Sequence, residues 1–267
     1  MKYVTLNNGI QMPMLGYGTW DLRGEEGKKA IVSALEVGYR LLDTAKMYEN
    51  EDIVGQAIIE SGIPREKIFI TTKLNASCQG YEQAQKGIED SLKALQTDYI
   101  DLLLIHEPYE RSLEMYEAMK EAYQQKKVRA IGISNFQGQY YDNFIQNCGM
   151  KPAIHQIESH VYHPQFHFKH QMDLDGVQME SWASFTEGRK DIFHEPLLIE
   201  IAKKHHKSVA QIALAYLIQN GIIVIPKTVH RKRMIENINV FDIELSQDDI
   251  KQIQTLDQGQ SLFHWYD

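Results

Sequence analysis

The chain switches repeatedly between two hydrophobic periods, and this alternation limits its fold more than any other feature. Short apolar runs at residues 15–19, 41–43, 68–73, 100–106, 128–134, 154–158, 177–182 and 222–226 read as eight β-strands. The stretches between them carry apolar residues at helical spacing. Examples are Ile53, Val54, Ala57 and Ile58; Tyr81, Ala84, Ile88, Leu92 and Leu95; Leu113, Tyr116, Met119 and Tyr123; and Val209, Ile212, Ala213, Tyr216 and Leu217. Strands that alternate with helices run parallel, because each helix serves as the crossover, and the helices then cover the sheet. Eight such units favour closure into an α/β fold of the (β/α)8 TIM barrel type. The 267 residues match the ~250 that one barrel needs, so a single domain over residues 1–267 is expected. Residues 3–13, with a turn at Asn7-Asn8-Gly9, predict an N-terminal β-hairpin placed to plug the barrel floor. Residues 165–176 are short for a barrel helix.

Composition narrows the function classes. With 43% hydrophobic and 24% charged residues the chain can bury a large core, and disorder is not expected. Its formal net charge of −8 offers no footprint for nucleic acid or an anionic membrane. The first residues contain no apolar leader, and no apolar run approaches the ~18 residues of a membrane span. A cytoplasmic location and a monomer are the expectations. Cys78 and Cys148 are far apart and lack CxxC spacing, so neither a disulfide framework nor a cysteine zinc site is expected.

Three strand patterns end in a reactive side chain. The strand at 41–43 ends at Asp43, with Tyr48 five residues on and Asn50 opening a helical pattern; the strand at 68–73 ends at Lys73; the strand at 100–106 ends at His106. In a barrel such ends meet at the C-terminal face, where sites are built. Asp, Tyr, Lys and His in this order resemble the catalytic tetrad of the aldo-keto reductases. The resemblance runs the length of the chain. Leu15-Gly16-Tyr17-Gly18-Thr19-Trp20 is similar to the family's first strand, residues 38–51 to its signature, and Ile131-Gly132-Ile133-Ser134-Asn135-Phe136 to its fifth-strand motif. Ile225-Pro226-Lys227-Thr228, followed by Arg233, Glu236 and Asn237, is similar to its cofactor segment. The short bacterial members grouped with diketogluconate and glyoxal reductases resemble the chain most.

The resemblance implies reduction of a small aldehyde or ketone to an alcohol, with NADPH as hydride donor. Hydride delivery builds negative charge on the carbonyl oxygen, which then needs a proton. Tyr48 would be the general acid, although a phenol with a pKa of ~10 gives its proton up reluctantly at neutral pH. A Lys73 ammonium beside it would lower that pKa, Asp43 would keep the lysine charged and in place, and His106 would orient the carbonyl. The resemblance further implies that Ser134, Asn135 and Gln156 bond the nicotinamide carboxamide, that Trp182 stacks on the ring, and that Ser184 belongs to the pyrophosphate loop. It assigns Lys227, Thr228, Val229, His230, Arg233, Glu236 and Asn237 to the remainder of the cofactor. Lys227, His230, Arg231, Lys232 and Arg233 also gather basic groups at the start of a helix expected over 231–240, where free amides and the helix dipole favour anions. Arginine suits a phosphate by its bidentate geometry, so NADPH is expected over NADH.

Trp20, Lys46, Tyr48 and His106 form the expected substrate pocket. Lys46 stands where the family commonly has a small residue and Glu107 where it commonly has Trp, and both bear on substrate choice. Ala183-Ser184-Phe185-Thr186 lacks the proline usual in the pyrophosphate loop. The terminal aromatics Phe263, Trp265 and Tyr266 either line the pocket with Trp20 or pack on the barrel. Aldehydes, dicarbonyls, keto sugars and keto acids all fit so far, because loops set the choice. Two other classes compete. His155, His160, His163, His167 and His170 crowd one region, as in a metal-dependent barrel hydrolase, but the first strand has no His-x-His, no carboxylate cluster accompanies the histidines, and Pro164 interrupts them. No metal is expected. A non-catalytic barrel that senses NADP(H) is opposed by the complete tetrad.

Overall fold

The structure, a computed structural model, describes residues 1–264. A hairpin of β1 (Tyr3–Thr5) and β2 (Gln11–Pro13) precedes the strands β3 (Tyr17–Gly18), β4 (Leu41–Asp43), β5 (Phe69–Leu74), β6 (Leu102–Ile105), β7 (Ile131–Ser134), β8 (Ile154–Glu158), β9 (Gln178–Trp182) and β10 (Ile223–Val224). The strands β3 to β10 pair in parallel in chain order. Leu15 and Val224 join the two edges: Gly16 N donates to the Val224 carbonyl at 2.8 Å and Val224 N to that of Met14 at 3.1 Å. The sheet is therefore closed, and the expected barrel is what forms.

The helices α1 (Gly24–Val37), α2 (Glu51–Ser61), α3 (Tyr81–Leu95), α4 (Ser112–Gln124), α5 (Gln139–Asn147), α6 (Phe166–Asp175), α7 (Pro196–His205), α8 (Val209–Gln219), α9 (Arg231–Ile238) and α10 (Gln247–Gln254) cover the strands. Local chemistry sets their ends. A capping box of Ser208 and Gln211 starts α8, while left-handed Gly38, Gly62 and Gly176 stop α1, α2 and α6. Helix α9 ends at Ile238, two residues earlier than its pattern predicts, where Gln211 Nε2 donates to the carbonyls of Glu236 and Asn239 at 3.1 and 2.8 Å. No helix among the described residues is long and apolar enough to cross a membrane.

The hairpin plugs the floor. Leu6, Met12 and Met14 pack with Leu41, Phe69 and Leu102 across the N-terminal half of the barrel interior. Asn7 Nδ2 donates to the Pro152 carbonyl at 2.8 Å and Asn8 Nδ2 to that of Arg129 at 3.0 Å, so the turn is tied to the segments that enter the strands. With the floor filled, the mouth is left for chemistry.

Candidate active site

Strand register delivers the first two groups. Asp43 pairs with Thr71 across β4 and β5, and Lys73 lies two residues further along, on the same face as Thr71. Lys73 Nζ donates to Asp43 Oδ1 at 2.6 Å, to the Thr44 carbonyl at 3.0 Å and to Tyr48 Oη at 3.3 Å, which uses all three of its protons. Both partners of this ion pair are buried, and such a pair is stable only when its remaining valences are met. Asp43 Oδ2 meets that condition by accepting from Gln156 Nε2 at 2.8 Å. Burial disfavours the Lys73 ammonium, but Asp43 and Tyr48 outweigh it and hold the lysine above its ordinary pKa.

Tyr48 ends a 3₁₀ turn, Lys46–Tyr48, that Glu49 closes with a left-handed φ of 52°. Its ring meets Trp20 edge-on at 4.9 Å and His106 at 5.7 Å. The expected lowering of the phenol by Lys73 is present but is not the largest effect. Burial comes first, and on balance the hydroxyl is raised above its ordinary value and held protonated. His106 follows β6 directly; burial, then the Lys73 charge, push its imidazole down to about 3, so the ring is neutral. Asn135, in a left-handed conformation, donates from Nδ2 to the His106 carbonyl at 3.2 Å and accepts from Trp182 Nε1 at 2.8 Å, which orients the indole.

A cavity of about 360 Å³ opens above these groups and is lined by Trp20, Tyr48, Trp182 and Ser184. A second, of about 440 Å³, is lined by Thr228, Arg233, Glu236 and Asn237. Phe185, Glu187 and Lys227 line both, so the two form one elongated groove. Gly18, which lines the first cavity, lets β3 approach the backbone at Ile225, whose carbonyl a Cβ there would meet at 2.7 Å. Ser134 and Gln156 sit deeper in the barrel, and Ser134 Oγ is buried without a partner.

Several expected site residues lie elsewhere. Lys46 does not line the groove; its charge acts on Glu51 and Asp90, on the α2 and α3 side, because the turn that presents Tyr48 carries Lys46 away from it. Val229 and His230 are exposed and line neither cavity. Arg231 is committed to α1, where it meets Glu36 Oε2 at 2.7 Å and Ser33 Oγ at 2.9 Å. Arg233 is thus the arginine of the basic group that faces the groove. Trp265 and Tyr266 lie outside the described residues, while Phe263 meets Trp182 edge-on at 4.8 Å.

Three supporting residues escaped the sequence reading. Asn50 clasps two loops: Oδ1 accepts from Thr44 Oγ1 at 2.7 Å, and Nδ2 donates to the carbonyls of Thr19 and Leu22 at 2.8 and 3.2 Å. Glu158 anchors the end of the chain by accepting from His160 Nε2 and Leu262 N, each at 2.9 Å, and from the Ser261 hydroxyl. Glu180 is wholly buried behind Gln156. The available signal for it was an acid in the middle of a strand of a parallel barrel, where helices cover the outer face and the interior is packed. Two of the crowded histidines have other partners: His155 Nε2 accepts from Phe136 N at 3.1 Å and its ring stacks on Tyr141, and His160 Nε2 bonds Glu158 Oε1 at 2.9 Å. Among the described residues no group of three or more His, Cys, Asp or Glu side chains is arranged to hold a metal.

Comparison with known proteins adds lineage to this geometry. Residues 14–258 match the sequence model of the Aldo/keto reductase family. The chain is 39% identical over 259 residues to a glyoxal reductase of Bacillus subtilis (strain 168), covering 96% of this chain and 93% of that one. It is similar to the crystal structure of MGS-M4, an aldo-keto reductase from a Medee basin deep-sea metagenome, with a TM-score of 0.95, 40% identity and coverage of 99% and 98%. An aldo-keto reductase of Bombyx mori, solved in complex with NADP, matches with a TM-score of 0.91 at 31% identity, over 98% of this chain and 94% of that one.

Proposed function

The chain belongs to the aldo/keto reductase family, and on that premise we propose that it reduces small aldehydes or ketones to alcohols with NADPH, Tyr48 acting as general acid. The observation that carries this reading is the buried Asp43–Lys73 pair in contact with the Tyr48 hydroxyl at the base of the groove. The groove fits the cofactor. It runs from Tyr48 and Trp182 to Arg233 at the N-terminal turn of α9, and the unpartnered Ser134 hydroxyl offers a bond to the carboxamide. Trp182 would stack on the nicotinamide ring, Asn135 and Gln156 would hold its carboxamide, and Lys227 and Arg233 would meet phosphates. When bound, the reduced nicotinamide supplies the hydride.

The protein's own groups supply the rest. Tyr48, kept protonated by burial, gives its proton to the carbonyl oxygen as charge appears there. Lys73 stabilises the phenolate left behind, and Asp43 fixes the lysine in the one position from which it reaches Oη. His106, neutral across the physiological range, donates a hydrogen bond to the same oxygen and aims the carbonyl. The relative from Bacillus subtilis, a glyoxal reductase, points to compact dicarbonyls as first substrates.

The test is loss of reduced-nicotinamide absorbance when the purified protein meets NADPH and a panel of aldehydes, dicarbonyls, keto sugars and keto acids. Turnover with recovery of the alcohol is expected for small uncharged aldehydes. NADPH binding without consumption across the whole panel would favour the sensing barrel instead.

A further inference from the structure

Glu180 lies beneath the proposed proton path without belonging to it. It is buried at the centre of β9, in register with Gln156 on β8 and Ile223 on β10. Gln156 Nε2 carries two protons; one goes to Asp43 Oδ2 at 2.8 Å and the other to Glu180 Oε2 at 2.9 Å. Glu180 Oε1 has no partner. A single amide therefore joins a carboxyl that has no cation of its own to the carboxylate that holds Lys73.

The charged groups that act on Glu180 are Asp43 on β4, which repels it when ionised, and Lys73 on β5, which attracts it. The Lys73 protons are already spent on Asp43, Thr44 and Tyr48, and the neighbour on β10 is apolar. Ionising Glu180 would set two negative charges against one positive charge in a buried layer. Burial first, and Asp43 second, keep its carboxyl well above the usual carboxylate range.

We infer that Glu180 is a positioning residue: as a neutral carboxyl it locks the Gln156 amide and, through it, the Asp43–Lys73 pair under Tyr48, and on ionising it makes Tyr48 a poorer proton donor. The inference rests on Tyr48 being that donor. A chain that turns over no carbonyl at all would fail the proposed function, whereas the experiment below reads only how turnover depends on Glu180.

The experiment follows kcat for reduction against pH at saturating NADPH, in the wild type, Glu180→Gln and Glu180→Leu. Glutamine keeps the shape and stays neutral, so Glu180→Gln retains kcat at neutral pH within about threefold and loses the alkaline fall of the wild type, or moves it upward. Leucine removes the acceptor for Gln156, so kcat drops by about ten- to a hundredfold at every pH while the Kd for NADPH changes less. An alkaline limb that coincides in Glu180→Gln and the wild type would overturn the inference. So would wild-type kcat in folded Glu180→Leu; should that variant melt early, the glutamine profile decides alone.

Discussion

At the floor of the barrel, Leu6, Met12 and Met14 press on Leu41, Phe69 and Leu102, and the one buried acid, Asp101, is matched by Arg65 at 2.7 Å, Arg129 at 2.6 Å and the Ile70 amide at 3.0 Å. The mouth holds a second buried ion pair with a third carboxyl behind it, and three polar atoms, His106 Nδ1, Ser134 Oγ and Glu180 Oε1, have no partner. Left-handed non-glycine residues also gather there: Asp21, Glu49, Asn135, Ala183, Thr186 and Glu187. Each such conformation costs on the order of 1–3 kcal/mol and persists where surrounding structure imposes it. The contrast shows where stability is stored and where it is given up. The floor matches its buried acid with two arginines and a backbone amide, whereas the mouth holds several unpartnered polar atoms in fixed positions.

The contrast is sharpest under acid. His106 at the mouth and His155 behind β8 are both pushed by burial to about 3, from an ordinary value near 6.5. The unfolded chain takes up these protons near 6.5, and the folded chain resists until about 3. Their effect on stability is therefore fully favourable above 6.5 and is lost as pH falls toward 3, a loss on the order of several kcal/mol. Urea unfolding across that range should show this slope, with His106→Gln removing part of it. A flat profile would place the histidines in solvent.

The floor should answer to packing instead. Met12→Ala is expected to cost about 2–5 kcal/mol of unfolding free energy while kcat per folded molecule is unchanged, because Met12 is a fully buried member of the floor cluster and lines neither cavity of the groove. A matching fall in kcat would show that the hairpin reaches the site. At the far end of the groove, Arg233→Ala should raise the Kd for NADPH about tenfold, at the lower end for a charge-assisted contact since Arg233 is exposed. NADH should barely respond, and the difference should shrink in high salt. Equal losses for both cofactors would mean that Arg233 supports α9 rather than reading a phosphate. The smallest effect belongs to Lys46, whose charge acts away from the groove: Lys46→Ala should change kcat/KM by less than about twofold for a keto acid and a neutral aldehyde alike. A selective loss with the keto acid would put the lysine back in the pocket.

The barrel was legible because strand and helix periods alternate without interruption, and the four reactive groups because they stand at or near strand ends. What escaped has physical causes. Helix α1 begins with Gly24 and contains Gly27, a residue type that disfavours helix, yet a Cβ at Gly27 would come within 2.8 Å of the Leu22 carbonyl carbon, so close packing requires the glycine. Asn50 reads as a helix cap, but its bonds run to Thr19, Leu22 and Thr44, contacts that exist only once the barrel closes. The direction of Lys46 depends on the 3₁₀ turn, which residue spacing does not encode. The Tyr48 hydroxyl is raised on balance because burial outweighs the Lys73 charge beside it, and the depth of that burial is set by the closed barrel and not by residue spacing.

The most direct test is Tyr48→Phe, followed by stopped-turnover reduction of a small aldehyde and by NADPH titration monitored through tryptophan fluorescence. Only the hydroxyl in contact with Lys73 is removed, so the fold and the groove should persist. A fall in kcat of about 10²- to 10⁴-fold is expected, with NADPH affinity and melting temperature unchanged. Turnover close to that of the wild type would contradict it and move the proton donor to another group.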